Sequence, residues 1–456
     1  MDTTAILKSL CDLQQLRVLW CDNANVIRNK AIFLPALLAR ESNPTAIIDH
    51  LDHAVTVTAA IQSAPVTHDE PVAAAGLGPV QDICLKPVWE TLSVCPTNPR
   101  IGSVMGNMML GKEAWLHCPR QLLQRVQAAA VDRGIELQAG FELEFFLLHD
   151  PMDTEGDLCP VDHALFASTI AAQKSEVVIG EILDSLWAQG ISVAQYNPEA
   201  GPGQHEISID HCEPLELADC LVKMRETVRS VARRHGQLAT FVPVLHEDTV
   251  GSGLHTHFSL WRNGQDLLPD PSQPYNLCRE ANQFMAGMLF HLPAMMAITT
   301  PNVNSFYRTR PHEWSGAYQA WGIENKEAAI RLINGPRNRL PMHFELKTVD
   351  CAANPYIALA CMIAAGLDGI DRQLELPAPV PIDPGNYSEA ERERLAIERL
   401  PVSLDQALLC LASDHVIQEA LGEEFTRVFA AIRQAEFQIM HEMSVAEQSA
   451  VLLERF

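Results

Sequence analysis

The sequence has no C-x-x-C pair and no disulfide-dense stretch, although 12 of its 456 residues are cysteines. Scattered cysteines of this kind indicate reduced thiols, mostly buried as small apolar side chains, in a cytoplasmic protein. The start of the chain lacks the basic and then apolar segment of a secretion signal. Apolar runs such as residues 357–367 are shorter than the about 20 residues that cross a bilayer. We therefore expect a cytoplasmic protein without a membrane partner.

Positive charge is also scarce, with 33 lysines and arginines against 57 aspartates and glutamates and a formal charge of −24. Nucleic acids and anionic membrane surfaces attract clusters of Lys and Arg, so neither is expected as a partner. The sequence contains no Walker A loop and no G-x-G-x-x-G after a strand, which argues against a P-loop or Rossmann nucleotide site. The length of the chain and its 47% of hydrophobic residues predict two or more domains with sizeable cores.

The first 112 residues mix short strand-like runs with irregular stretches. Residues 16–21 and 26–33 flank a turn-forming segment at 22–25, which predicts a hairpin. The segment 64–99 is rich in Pro and Ala, and we expect it to loop over the surface.

The pattern changes near Cys118, after which helices and strands alternate. One helix is expected to begin near Pro119 and to end at Gly134, a residue that suits the position after a helix. Further helices are expected near residues 175–189, 214–235, 276–292 and 353–370. Strands are expected near residues 135–148, 191–197, 204–210, 238–244, 254–261, 328–333 and 342–348. The C-terminal segment is predicted to be helical, with an apolar stripe that packs in the core: Phe425, Val428, Phe429 and Ile432.

Polar side chains recur at a spacing of two residues on several predicted strands. Glu142 and Glu144 alternate with large apolar residues, so both carboxylates point to one face of a strand. Three further segments repeat this spacing: His255, His257 and Ser259; Glu206, Ser208 and Asp210; and Glu345 and Lys347. Any one of them is compatible with an ordinary half-exposed strand. Paired glutamates repel each other unless a cation lies between them, so four such strands together favour a metal-binding pocket.

Glutamates combined with histidine favour hard divalent ions such as Mg²⁺ or Mn²⁺, and a cluster of this size points to two ions. Paired ions commonly clamp phosphoryl oxygens, which also need cationic donors. Arginines follow in the next part of the chain: Arg308, Arg310, Arg331, Arg337 and Arg339. Arg331 lies within an apolar run, where a half-buried guanidinium needs an anionic partner. Glycines at 201–203 and 251–253 precede two of the polar strands and allow close approach of a ligand, although plain turns would explain them as well.

Five motifs, in this order, resemble the glutamine synthetase family. They are G-F-E-L-E-F-F from residue 140, E-A-G-P-G-Q-H-E from 199, G-S-G-L-H-T-H-F-S-L from 251, N-S-F-Y-R from 304 and F-E-L-K-x-x-D-x-x-A-N-P-Y from 344. The resemblance covers about residues 118–456. It implies an α+β fold, in which a small N-terminal β-grasp-like domain (1–112) precedes a catalytic domain (118–456) with a curved antiparallel sheet and outer helices. It also implies active sites between neighbouring subunits of hexameric rings, with two rings making a dodecamer.

The resemblance further implies roles for individual residues, with ATP as co-substrate and two or more Mg²⁺ or Mn²⁺ ions per site. The implied metal ligands are Glu144, Glu199 and Glu206 for one ion and Glu142, His255 and Glu345 for the other. The implied nucleotide-binding residues are His257, Ser259 and Arg331, and Arg337 is a further nucleotide-binding candidate that matches no motif of the family closely. The implied substrate-binding residues are Gly251, Arg308 and Lys347. The implied catalytic residues are Arg308, Arg331 and Glu313, the last as the base that takes a proton from the amine.

Departures from the family pattern concentrate in the substrate pockets. Val250 stands where glutamine synthetases normally carry Asn, and Lys347 and Lys326 stand where they carry Arg. Lysine lacks the bidentate fork of arginine, so these changes are not conservative. We therefore expect an ATP-dependent ligase that forms a γ-glutamyl amide with a polyamine or monoamine rather than with ammonia. The alternatives are a true glutamine synthetase and a non-catalytic relative with a structural or regulatory role.

Overall fold

The computed structural model describes residues 2–150 and 158–456, and its strands form two sheets. The first sheet consists of β1 (Gln15–Cys21), β2 (Ile27–Phe33), β3 (Thr56–Thr58), β4 (Asp82–Val94), β5 (Ile101–Leu110) and β6 (Glu113–Ala114). Its order is β2-β1-β5-β4-β3, with β6 beside β5, and β1 runs parallel to β5. The helices of this region are α1 (Thr3–Leu10), α2 (Leu34–Leu38) and α3 (Pro44–His53). The predicted hairpin is confirmed, because β1 and β2 pair from Cys21 opposite Ile27 outward.

The expectation of a surface loop over residues 64–99 is wrong for its second half. Strand β4 lies between β3 and β5, and its side chains Ile83 and Leu85 are fully buried in the core of the first sheet. Pro87 lies within β4, and the pairing of β4 with β5 shifts register between Val88 and Ser93. Proline cannot donate to a strand ladder, so its presence in the sequence argued against a strand. It is tolerated here because the pairing is irregular at this point.

The second sheet carries the polar strands. It consists of β7 (Glu136–His149), β8 (Val193–Pro198), β9 (Gln204–Ile209), β10 (Gln237–Thr240), β11 (Leu254–Arg262), β12 (Gln265–Asp266), β13 (Trp321–Ile323), β14 (Ile330–Asn334) and β15 (Pro341–Leu346). Its main path is β13-β14-β15-β11-β7-β9-β8, and all its pairs are antiparallel except β13 with β14. Phe141, Leu143 and Phe145 of the long central strand β7 are fully buried. The alternation along β7 therefore turns its glutamates to the opposite face.

The described chain after residue 118 also contains helices. They are α4 (Pro119–Asp132), α5 (Thr169–Ala188), α6 (Pro214–Arg234), α7 (Arg279–Thr299), α8 (Ser305–Arg308), α9 (Pro355–Asp371), α10 (Glu389–Leu395), α11 (Leu404–Ser413), α12 (His415–Leu421), α13 (Glu423–Met440) and α14 (Val445–Leu452). The predicted helices are present with shifted ends, and α7 continues through Pro293 to Thr299. Helix α9 begins after Asn354, whose side-chain oxygen accepts the backbone N–H of Tyr356. The predicted C-terminal stripe on α13 is buried as expected.

The turn of the first hairpin, residues 22–25, connects the first sheet to the segment between β15 and α9. Asn25 Nδ2 donates to the carbonyl of Cys351 at 2.7 Å, and Asn354 Nδ2 donates to the carbonyl of Asp22 at 2.8 Å. All the side chains of Asp22, Asn23 and Asn25 are fully buried. The division into domains at 1–112 and 118–456 stays a prediction. In the described part of the chain, no helix is both long and apolar enough to cross a bilayer.

Candidate active site

Cross-strand pairing brings the predicted polar residues together on one face of the second sheet. The opposed pairs are Glu142 with His255, Glu144 with Glu206, and His257 with Glu345. Glu199 follows β8 and is oriented by Asn197, whose Nδ2 donates to Glu199 Oε1 at 2.9 Å. All the predicted metal ligands line one cavity of about 510 Å³, which we call the first cavity. We call these ligands the carboxylate cluster: Glu142, Glu144, Glu199, Glu206, His255 and Glu345.

The donor atoms of the cluster lie close enough to share cations. The ligand atoms of Glu142, Glu206 and His255 lie within 4.8 Å of one another, and so do those of Glu142, His257 and Glu345. The two groups share Glu142, and the second also contains His257. Carboxylate oxygens with imidazole nitrogens fit Mg²⁺ or Mn²⁺.

His257 supplies a separate indication that a cation fits this site. Its Nε2 lies 3.1 Å from Glu142 Oε1, yet both ring nitrogens are buried without a hydrogen bond of good geometry. The short distance alone does not satisfy the imidazole, because its N–H groups do not point at an acceptor. Buried polar atoms without partners are costly, and a bound cation would give the imidazole a partner.

Charge repulsion within the cluster points the same way. Burial, followed by the charges of Glu142 and Glu144, raises the pKa of Glu206 to about 9. Burial and the charge of Glu144 raise the pKa of Glu199 to about 7. A divalent cation would offset this repulsion and allow both groups to ionise near neutral pH, so the residues present fit such an ion.

Basic side chains border the cluster at Glu345. Burial alone would raise the pKa of this carboxyl, but Lys347 Nζ at 3.1 Å and other positive neighbours hold the pKa below its usual value. Arg331 Nε lies 2.6 Å from the other oxygen of Glu345. In this structure Arg331, a candidate nucleotide-binding residue, and Lys347, a candidate substrate-binding residue, therefore both pair with Glu345, a candidate metal ligand.

Arg308 lines the first cavity and packs against Gly251 and Gly253. Its Nη2 is 3.0 Å from His255 Nε2, and its guanidinium donates to the carbonyl of Lys347 at 3.2 Å. A Cβ atom on Gly253 would lie 2.5 Å from Nη2, and one on Gly251 would lie 2.9 Å from Cγ of the arginine. The glycines of the G-S-G motif are thus needed for Arg308 to approach the cluster.

A second cavity of about 520 Å³ lies on the other side of Glu142, which lines both cavities. His257 and Ser259, two candidate nucleotide-binding residues, line this second cavity. Glu313, Arg331 and the substrate-binding candidates line the first cavity. Arg337 lines neither cavity and is exposed in the turn between β14 and β15.

Two residues of the site are missing from the sequence-based candidates. Gln204 Nε2 donates to the carbonyl of Gly251 and to Ser252 Oγ, both at 3.1 Å. His343 packs edge-to-face on His257, with 4.9 Å between the ring centres. Each precedes a predicted metal ligand by two positions on its strand, so the two-residue spacing could have identified both.

The fold and this cluster define a class of protein in which carboxylates on a curved sheet border two cavities. Residues 116–450 match the family described as glutamine synthetase, catalytic domain. The chain belongs to the glutamine synthetase family, whose members are ATP-dependent ligases that form carbon–nitrogen bonds and use divalent metals.

Individual relatives cover much of the chain. Gamma-glutamylpolyamine synthetase GlnA3 of Streptomyces coelicolor is 36% identical over 323 residues, which is 70% of this chain and 69% of the relative. Type-1 glutamine synthetase 1 of Dictyostelium discoideum is 31% identical over 470 residues, 97% of this chain and 90% of the relative. The solved structure of a GmaS–ADP complex superimposes with a TM-score of 0.82 at 26% identity and covers 99% of both chains.

Proposed function

We propose that this enzyme joins the γ-carboxylate of glutamate to a polyamine or monoamine, and that ammonia is not its principal substrate. The observation that carries the proposal is the shape and lining of the first cavity. Its volume of about 510 Å³ extends from the carboxylate cluster to the side chains of Phe166, Glu247, Tyr307 and Trp314. Aromatic faces and carboxylates both attract a substituted ammonium group.

The similarity to a γ-glutamylpolyamine synthetase supports the same substrate class. Val250 supports it too, because this apolar residue lines the first cavity where glutamine synthetases carry an amide side chain. We further propose a cytoplasmic enzyme assembled from hexameric rings, two of which form a dodecamer.

The residues of the cluster have two proposed assignments. Glu144, Glu199 and Glu206 would hold a cation near the acid substrate, and Glu142, His255 and Glu345 would hold one near the ATP phosphates. When bound, such ions neutralise charge on the transferred phosphoryl group. His257 and Ser259 would contact the nucleotide, with Arg331 and Arg337 contributing positive charge.

Lys347, Arg308 and the backbone of Gly251 would bind the amino acid. The carboxylate of glutamate is inert to amines until one of its oxygens becomes a good leaving group. In the first step a γ-carboxylate oxygen attacks the γ-phosphorus of ATP, the bond to the β,γ-bridging oxygen breaks, and ADP leaves. Arg331 stabilises the charge that develops on the phosphoryl oxygens.

In the second step the amine nitrogen attacks the acyl carbon, and phosphate leaves with the electron pair of the broken carbon–oxygen bond. Glu313 takes the proton that the nitrogen loses, which leaves a neutral amide. Glu313 lines the first cavity with the cluster, as this role requires.

A substrate panel tests the proposal. ATP cleavage and amide formation are measured with glutamate and ammonia, ethanolamine, putrescine, spermidine or an aromatic amine. We expect kcat/KM for the best amine to exceed that for ammonia at least about tenfold, a difference of about 1.4 kcal/mol in transition-state stabilisation. Glu142→Ala should lose this activity and stay folded, whereas Glu176→Gln, an exposed control on α5, should keep it.

Three other results would contradict the proposal. Turnover with ammonia alone would identify a true glutamine synthetase. Failure with every acid and amine, together with no ATP binding by calorimetry, would favour a non-catalytic protein. Near-normal turnover of Glu142→Ala would refute the metal assignment.

A further inference from the structure

The turn at residues 311–314 has an unusual backbone on both sides of Glu313. His312 has φ 67° and Trp314 has φ 54°, so both residues adopt the left-handed conformation. This conformation is unfavourable for residues other than glycine, and most of all for a bulky one such as tryptophan. Such residues persist where surrounding contacts hold them, and they concentrate at functional sites.

One set of contacts holds the turn from the His312 side. His312 Nδ1 lies 2.5 Å from Asp383 Oδ2, and the other oxygen of Asp383 accepts the backbone N–H of Gly385 at 2.7 Å. A Cβ atom on Gly385 would lie only 2.7 Å from His312 Cε1. The segment at 383–385 therefore contacts one side of the imidazole, which is otherwise exposed, and connects this end of the turn to Asp383.

A second set of contacts holds the turn from the Trp314 side. The backbone N–H of Trp314 donates to Glu327 Oε1 at 3.1 Å, and Lys326 Nζ lies 5.5 Å from the centre of the indole. Gly316 has φ 74°, and a Cβ atom on it would lie 2.6 Å from Ala329 Cα. The turn is thus tied to the segment that leads into β14, the strand that carries Arg331.

Glu313 is the residue that these contacts present to the first cavity. Its side chain lines that cavity together with His312, Trp314 and Lys326. Within residues 2–150 and 158–456, Glu313 takes part in no ion pair, so its carboxylate is available to accept a proton.

We infer that Asp383 and His312 are positioning residues for the amine step, because they hold the strained turn that points Glu313 at the attacking nitrogen. This inference rests on the proposed function. In that step the N–H bond breaks, its electron pair stays on nitrogen, and Glu313 becomes a neutral carboxylic acid that later returns the proton to water. Formation of the acyl phosphate does not use Glu313 and should not depend on the turn.

The test compares formation of the acyl phosphate with formation of the amide in variants of Asp383 and His312. Asp383→Asn keeps the side-chain volume and the contact to Gly385 but removes the charge that faces His312. His312→Gly removes the imidazole and relieves the left-handed strain. In both variants we expect amide formation with the best amine to fall at least tenfold, while glutamate-dependent ADP release without amine stays within twofold. The thermal unfolding midpoint of His312→Gly should equal or exceed that of the wild type.

A control variant and a double-mutant cycle distinguish a loss of positioning from a general loss of structure. Gln373→Gly relieves another left-handed residue, with φ 56°, outside both cavities and should change neither step. In a Glu313→Gln background, Asp383→Asn should cause no further loss of amide formation. Hydrogen exchange of residues 309–316 should rise in Asp383→Asn.

Several outcomes would overturn the inference. These are equal loss of both steps in Asp383→Asn, a full additional loss in the Glu313→Gln background, or unchanged amide formation in both variants. If the wild type forms no amide with any amine, the proposed function fails as well, and that result is distinct because it does not require a variant.

Discussion

At the scale of single residues, Glu206 links the stability of the metal-free protein to its affinity for cations. Its carboxyl group has a pKa raised to about 9 by burial and by neighbouring carboxylates. The ionised group is therefore unfavourable in the folded protein when no cation is bound. The contribution of this group to stability is fully present below its unfolded-state pKa of about 4.3, and it declines as pH rises toward 9.

We predict that Glu206→Gln stabilises the metal-free protein and weakens cation binding. The amide fills the same space without charge, so the free energy of unfolding at pH 8 should rise by about 1–3 kcal/mol in the presence of a chelator. The stabilisation that Mn²⁺ gives the wild type should largely disappear, because the variant lacks a carboxylate that we propose as a cation ligand. Thermal unfolding with chelator and with Mn²⁺ measures both effects.

Two comparisons check that prediction. Glu176→Gln, on the exposed face of α5, should change neither value by more than about 0.5 kcal/mol. A Glu206→Gln protein that is less stable than the wild type without metal, yet gains as much from Mn²⁺, would refute the role given to Glu206.

At the scale of secondary-structure elements, His291 holds three helices together. This buried residue of α7 contacts Asp414, the N-cap of α12, at 2.6 Å and Asp368 of α9 at 2.9 Å. Burial alone would lower the pKa of His291, but the hydrogen bonds that its imidazole donates to Asp414 and Asp368 outweigh this effect and raise the pKa. The protonated imidazole is therefore the form that stabilises the helix packing.

We predict that this contact contributes stability at acidic pH and loses it as pH rises. The contribution is fully present below the unfolded-state pKa of about 6.5 and is lost as pH passes the raised folded-state pKa. His291→Gln cannot take up a proton, so the difference in free energy of unfolding between wild type and variant should shrink by about 1–3 kcal/mol between pH 6 and pH 9. Urea unfolding of both proteins across this range measures it, and a constant difference would contradict the assignment.

The elements also show which patterns were predictable. The two-residue alternation around Glu142 predicted a strand and the common face of its carboxylates, because alternation is a local property of the chain. Two prolines lie inside elements whose extent was not predicted correctly, Pro87 in β4 and Pro293 in α7. In β4 a register shift accommodates Pro87, and α7 continues through Pro293 because tertiary packing outweighs the local cost of proline.

At the scale of the whole molecule, contacts between distant parts of the chain could not be predicted. The hairpin turn at 22–25 was expected from its residues, but its burial against Cys351 joins positions 326 residues apart. Likewise, the sequence indicated Glu313 as a candidate base but gave no sign that Asp383 contacts the residue beside it. Local periodicity carries no information about such partners.

Arg433 connects helix α13 to the turn of the first hairpin. Its guanidinium donates to Glu436 at 2.6 Å and to the carbonyl of Asn23 in the hairpin turn at 2.7 Å. Glu436 in turn accepts the backbone N–H of Val66 at 2.6 Å. Arg433 and Glu436 are fully buried, so loss of one partner would leave an uncompensated charge beside the junction.

We predict that Arg433→Met destabilises the protein by about 3–5 kcal/mol, because Glu436 would remain buried without its cation. Adding Glu436→Gln removes the second charge and keeps an acceptor for Val66, so the double variant should recover most of the loss. Hydrogen exchange should show reduced protection in α13 and in the first hairpin of Arg433→Met, since the contact joins these two elements. Equal destabilisation of the single and double variants would mean that lost packing, rather than the unpaired carboxylate, sets the cost. Protection lost in only one of the two elements would mean that the contact does not couple them.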